Sequence, residues 1–154
     1  MIYVLVKQVE KLKEINMNLA EKNFWSSIQT YFQGHVQRLE SSTGAGVPDV
    51  NICWMGREYW LELKVVTPRT GILIRREQWA WHNRRMNSGG KCFLLALDEK
   101  MNACFFAPTF IVKVEPYGKV NKYVLVSNSE ALAIIHKPAL REFLKINLFT
   151  IASS

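Results

Sequence analysis

Apolar positions in the first third of the chain recur at helical spacing. Phe24, Ile28, Tyr31 and Phe32 recur at three-to-four-residue intervals, with Leu19 one turn earlier, so LAEKNFWSSIQTYFQ predicts an amphipathic helix. Asn16 or Asn18 is its N-cap, and Glu21, three residues after Asn18, occupies the position of a capping-box acid. The opening MIYVLVKQ is short, apolar and rich in Ile, Val and Tyr; it fits a strand or the start of a helix. Acidic and basic residues follow it with no small-residue cleavage site, which favours a first or edge strand over a signal peptide. Gly34 interrupts the helical pattern, and HVQRLESS reads as a short strand or a helical continuation. SSTGAGVP is a loop, because Gly44, Gly46 and Pro48 take the backbone out of helical geometry.

Two strand-like runs follow, DVNICWM (49–55) and EYWLELKVV (58–66), with Gly56-Arg57 between them as a hairpin signal. Leu73 to Met86 reads as a helix, with Gly89-Gly90 beyond its end and Arg84 and Arg85 at its negative pole. KCFLLAL (91–97) is apolar on both faces and predicts a central strand. Beyond it, CFFAPTFIVKV suggests strand and turn broken at Pro108, and NKYVLVS a strand. Ser129 caps a helix through EALAIIH, and Pro138 suits the first turn of a last helix, PALREFLKINL. No repeat or long linker divides residues 1–154, so the expectation is a single α/β domain whose mixed central sheet is flanked by helices.

Composition narrows the class. The chain has 154 residues, 49% hydrophobic and 21% charged, which suits a packed domain and excludes a disordered one. No stretch has the apolar length needed to cross a bilayer. The net charge of +7 favours a polyanionic partner, only modestly above a soluble basic domain with no such partner. Cys53, Cys92 and Cys104 lie in apolar runs and match no zinc spacing, so they read as buried thiols in a reducing compartment.

The candidate chemistry sits in the hairpin. Glu62 and Lys64 are two apart and project from one strand face, while Leu61, Leu63 and Val65 take the other. Asp49 opens the preceding strand, and a turn centred on Gly56-Arg57 pairs position 49 roughly with position 64. The bland alternative is a solvent-facing Glu–Lys pair on an edge strand. Two carboxylates side by side repel unless a cation lies between them, and oxygen donors without clustered His or Cys favour Mg²⁺, with Mn²⁺ as a substitute. Such an ion polarises a phosphate and activates a water, while Lys64 orients that water and offsets charge on the phosphate.

Gly46-Val47-Pro48-Asp49, then Glu62-Leu63-Lys64, resembles the PD-(D/E)XK signature of the restriction-endonuclease-like nucleases. The nearer likeness is to the VRR-Nuc type, which is similar to Holliday-junction resolvases and frequent in phage genomes. The aromatic run into Glu62, from Tyr59 to Leu61, and the downstream Gln78, Trp79 and Trp81 belong to the same pattern, and the likeness spans roughly residues 19–97. The resemblance implies a restriction-endonuclease-like core and a Mg²⁺-dependent endonuclease acting on branched or otherwise structured DNA. It also implies a homodimer, since paired cuts need two sites, and a bacterial or phage-infected cytoplasm. Asp49, Glu62, Lys64 and Gln78 would be catalytic, with Asp49, Glu62 and Glu21 at the metal. Glu40 competes with Glu21 for the supporting role. Arg75 and Arg76, at the helix start where the dipole disfavours them, and Trp79 are the candidate nucleic-acid contacts. His82 reads as a helix-surface or packed histidine rather than a catalytic base. A non-catalytic nucleic-acid-binding protein on the same fold is the alternative, and residues 98–154 carry no recognisable role.

Overall fold

The computed structural model describes residues 1–39, 46–66, 73–108, 114–116, 122–125 and 133–153. No Gly or Pro interrupts the chain before Gly34, and one long helix, α1 (Ile2–Ile28), takes up the whole opening. MIYVLVKQ is therefore helical, and Asn16 and Asn18 lie inside the helix rather than capping it. Only its last turns dock: Phe24, Trp25 and Ile28 are buried, whereas Leu19 is exposed and does not share their face. A short 3-10 turn, Gln29–Tyr31, leads through Gly34 into β1 (His35–Arg38).

The hairpin of β2 (Val50–Trp54) and β3 (Arg57–Val65) turns through Met55-Gly56. Both residues have positive φ, 53° and 72°, as a two-residue turn matched to the twist of its strands requires. The register runs Trp54↔Arg57 to Val50↔Leu61, so the next step sets Asp49 against Glu62 rather than Lys64. The two-residue shift from the sequence expectation arises because methionine is an unusual occupant of a left-handed position.

Leu73 and Ile74 are not helical. They belong to β4 (Leu73–Arg75), which pairs with β8 (Lys122–Leu125), and the helix α2 (Arg76–Asn87) starts after it. β5 (Lys91–Asp98) is central as its composition predicts, with Cys92 to Leu97 all buried. β6 (Ala103–Pro108) follows, then β7 (Val114–Pro116) beside β8. The stretch expected as the helix EALAIIH contributes β9 (Ala133–His136), where Ile135 is buried and Ile134 exposed in strand alternation. Pairing with β6 overrides the helical reading at residues 133–136. Ser129, its expected cap, lies outside the described residues. Pro138 falls in a 3-10 turn, Lys137–Ala139, that opens the last helix α3 (Leu140–Ser153).

The main sheet has the order β1-β2-β3-β5-β6-β9, and β4-β8-β7 form a smaller one. Within the main sheet β3 and β5 are parallel, joined by the crossover through α2, and the other pairs are antiparallel. This is the mixed, helix-flanked α/β sheet that the sequence predicts. Tyr59, Leu61 and Leu63 of β3 face the larger core, with Phe93, Leu95 and Leu97 of β5, the end of α1, and Leu140, Leu144 and Leu148 of α3. The other sheet face carries Leu94, Ala96 and Ala107 under Ile74 and Trp79. Glu62 and Lys64 pair in register with Leu94 and Ala96, which puts both charged residues on the α2 side. Cys92 and Cys104 are buried as expected, but Cys53 is exposed, since β2 turns Val50 and Ile52 inward and alternation sends position 53 out.

The turn gives a direct test of the register. Met55 is exposed and left-handed, so Met55→Asn removes a steric cost without loss of packing and raises stability by about 0.5–1 kcal/mol in urea denaturation. No gain, or a loss, contradicts the Met55-Gly56 turn.

Candidate active site

β3 delivers Glu62 and Lys64 to one place because residues two apart share a strand face. Both are buried, at 1% and 9% exposure, an expensive location for charged groups without partners. Lys64 Nζ lies 3.3 Å from Glu62 Oε1 and donates to Gln78 Oε1 at 3.1 Å. Gln78 Nε2 donates to the same Glu62 oxygen at 2.5 Å, and Gln78 Oε1 also accepts from the Arg75 backbone N–H at 3.0 Å. One buried amide thus joins the strand pair to the first turn of α2. Lysine has three donors, so Lys64 keeps one for a further acceptor.

The hairpin and the loop before it deliver Asp49. Its Oδ2 accepts from the Leu63 backbone N–H at 2.8 Å, which fixes the carboxylate beside the Glu62–Lys64 segment. Gly46 holds the same loop against α2: its φ is +73°, and a Cβ there would lie 2.1 Å from the Glu77 carbonyl oxygen and 2.6 Å from Gln78 N. Any side chain at position 46 would displace the turn that carries Gln78. The GVPD glycine and the helix glutamine, distant in sequence, are one packing contact.

Electrostatics at the site is dominated by burial. Desolvation pushes the Glu62 carboxyl up to about 8; Lys64 opposes this, while the Asp49 and Glu21 charges add to it. Asp49 is also raised, by burial, against the pull of the Leu63 N–H, Lys64 and Arg38. Glu21 in α1 is raised by burial too, and its charge is felt at Glu62 as that of Asp49 is felt at Glu21. No hydrogen bond or ion pair joins Glu21 to the other two among the described residues. Glu40 lies outside the described residues.

Beneath Glu62 sits His82, four residues after Gln78 and so on the same side of α2. Its Nε2 is 3.9 Å from Glu62 Oε2, and both atoms are buried without a hydrogen-bond partner. Burial first, then the Lys64 charge, lowers the His82 imidazole to about 4. With His82 neutral and Glu62 protonated near pH 7, the two form no ion pair. The i+4 spacing from Gln78 is the signal that marks His82 in the sequence. Arg38 of β1, whose charge acts on both Asp49 and Glu21, carries no such signal.

The remaining candidates are placed less centrally. Arg75 and Arg76 are exposed; the Arg75 charge reaches Asp49 and Glu21, and its main-chain N–H holds Gln78. Trp79 is half-buried against the Leu94–Ala96–Ala107 face, so its ring is used in packing α2 on the sheet. Trp81 stands edge-on to Trp60 with ring centroids 5.0 Å apart, and the Arg85 guanidinium lies 5.3 Å and 5.6 Å from the two rings while it pairs with Glu58.

Among the described residues no group of three or more His, Cys, Asp and Glu side chains is gathered as a ready-made metal cage. The donor chemistry nevertheless fits a hard cation. Mg²⁺ retains several waters and is commonly held by one or two carboxylates together with phosphate oxygens. Glu62 is buried and Asp49 half-buried, both carboxyls are raised, and the second Glu62 oxygen has no partner, so one lysine leaves room for a further positive charge.

The raised carboxyl has a consequence for stability. Between the ordinary Glu value of 4.5 and about 8, folded Glu62 holds a proton that the unfolded chain has lost, so stability falls as pH rises through that window. His82, lowered to about 4, works in the opposite sense up to its ordinary 6.5, so the fall is read above that: in EDTA the protein should lose on the order of 1–2 kcal/mol from pH 6.5 to pH 8 in urea titrations, and Glu62→Gln should flatten most of that slope. A slope unchanged in Glu62→Gln contradicts this assignment.

No family model matches the chain, and no curated protein matches it. Among solved structures it is similar to Hjc of Archaeoglobus fulgidus, a Holliday junction resolvase from an archaeal hyperthermophile. The TM-score is 0.45 and the sequence identity 12%, over 72% of this chain and 90% of that one.

Proposed function

We propose that the chain is a metal-dependent endonuclease that hydrolyses phosphodiester bonds in DNA, with branched or otherwise structured DNA as substrate. The observation that carries this reading is the buried Glu62 carboxyl, with Lys64 at 3.3 Å from one oxygen, the other oxygen unpartnered, and the Asp49 and Glu21 charges acting on it. A structural ion pair needs one carboxylate; a second and a third placed to repel it make sense when a cation is the missing partner. The Pro48-Asp49 … Glu62-Leu63-Lys64 resemblance points the same way.

Asp49 and Glu62 would hold Mg²⁺, with Mn²⁺ as a substitute and Glu21 as the supporting acid. When bound, the cation supplies counter-charge to the scissile phosphate and acidity to an attacking water. Asp49 is oriented for this by the Leu63 N–H, and Glu62 by Gln78. Lys64, cationic and donor-only, uses its remaining N–H to hold a water or a non-bridging phosphate oxygen and to offset charge as it develops. Gln78 is buried, at 4% exposure, and acts as a positioning residue that fixes Lys64 and Glu62 rather than touching DNA. Arg75 and Arg76, exposed at the start of α2, would receive backbone phosphates.

Cleavage of a labelled panel of linear duplex, single strand, flap, four-way junction and RNA tests the reading, with Mg²⁺, Mn²⁺ or EDTA present. Wild type should cut branched DNA with metal and not with EDTA. Glu62→Ala, Asp49→Ala and Lys64→Ala should each lose about 100-fold or more in rate and still bind DNA. Binding without cleavage under every metal condition contradicts the enzyme and leaves a non-catalytic nucleic-acid-binding protein.

A further inference from the structure

The first two-thirds of α1 carries apolar side chains that its own domain does not cover. Ile2, Leu5, Val9, Leu12 and Leu19 are between 48% and 79% exposed, and they recur at steps of three, four, three and seven. With Asn16, also exposed, they form a continuous heptad: Ile2, Val9 and Asn16 at a positions, and Leu5, Leu12 and Leu19 at d positions. The pattern ends where the helix meets the sheet. The next a and d positions are Asn23 and Ser26, both polar and exposed, while Phe24, Trp25 and Ile28 dock from other sides of the helix. The apolar stripe and the docking face are therefore different faces of one helix, and the stripe is unavailable to the chain's own core.

We propose that residues 2–19 of α1 form a parallel, in-register two-stranded coiled coil with the same segment of a second copy. β-branched residues at a with leucine at d are the combination that favours two strands, and a single Asn at an a position specifies register and dimer at some cost in stability. In a parallel pair Asn16 meets its own copy, and their amides satisfy each other; in an antiparallel pair it would face an apolar d residue. The flanks agree. Parallel geometry sets Met1 beside the second copy's Val6 and Ile15 beside its Ala20, apolar on apolar, and sets Gln8 beside Lys13. A parallel pair is isologous, with each a and d residue packed near its own counterpart. Both domains then hang from the same end of the coil, with their carboxylate sites on either side of the two-fold axis. This pairing is independent of the chemistry assigned to Glu62, so its test and the cleavage assay fail separately.

Analytical ultracentrifugation of the full chain in EDTA, at tens of micromolar and without DNA, should give twice the chain mass of 17.8 kDa. Leu5→Glu with Leu12→Glu should give the single-chain mass with an unchanged near-ultraviolet circular dichroism spectrum, since both residues are exposed in the isolated chain. Leu19→Cys, in a Cys53→Ser background that removes the exposed native thiol, should oxidise to a covalent dimer. Wild-type protein of single-chain mass overturns the proposal, including the case in which it instead binds phosphatidylserine vesicles through this stripe. A dimer that survives Leu5→Glu with Leu12→Glu overturns the surface, and a dimer that Leu19→Cys fails to cross-link overturns the parallel register.

Discussion

Burying a carboxyl group in the middle of a strand is costly unless something compensates, and the architecture around Glu62 is organised by that cost. Its neighbours on the opposite face, Leu61 and Leu63, are core residues at 2% and 0% exposure, so β3 cannot rotate Glu62 into water without dismantling the larger core. Gln78 and Lys64 satisfy one carboxyl oxygen, and the other is left against a neutral imidazole with no hydrogen bond. Asp49 and Glu21 then add negative charge instead of relieving it. The cation of the proposed function would supply the missing counter-charge, and burial on its own holds the Glu62 carboxyl up at about 8.

The same constraint explains why separate parts of the chain are bound to one another. Gln78 reaches Glu62 only if α2 begins where it does, and that start is fixed by β4 ending at Arg75 and by the Arg75 N–H bonding the Gln78 side chain. Gly46 lets the Pro48-Asp49 loop lie directly on that first turn. The parallel β3–β5 pair beneath α2 supplies small and aliphatic residues, Leu94 and Ala96, alongside Glu62 and Lys64, so polar groups are confined to one end of an otherwise apolar face. The site is thus the junction of a hairpin, a loop and a helix start, and none of the three carries it alone.

Much of this was legible in the residues, and the parts that were not share a cause. Strand alternation placed Glu62 and Lys64 together and opposite a leucine face, and the apolar run from Cys92 to Leu97 announced a central strand. The run EALAIIH favoured a helix, yet pairing with β6, distant in sequence, makes its residues 133–136 a strand. Leu73 and Ile74 were extended for the same reason, through β8. A left-handed Met55 shifted the hairpin by two residues, which brings Asp49 opposite Glu62 instead of Lys64 and tightens the carboxylate arrangement. The burial of Gln78 and the turning of Trp79 onto the sheet depend on how α2 sits over β5, which no spacing rule along α2 reports.

The proposed metal site requires Glu62 to be protonated without a cation and ionised with one. Carbon-13 NMR of side-chain-labelled glutamate, assigned by Glu62→Gln, measures this directly. In EDTA the Glu62 carboxyl should titrate near 8, and in saturating Mg²⁺ it should remain ionised down to about pH 5 or below. A carboxyl that titrates near the ordinary glutamate value in EDTA, or one whose titration Mg²⁺ leaves unmoved, contradicts the account.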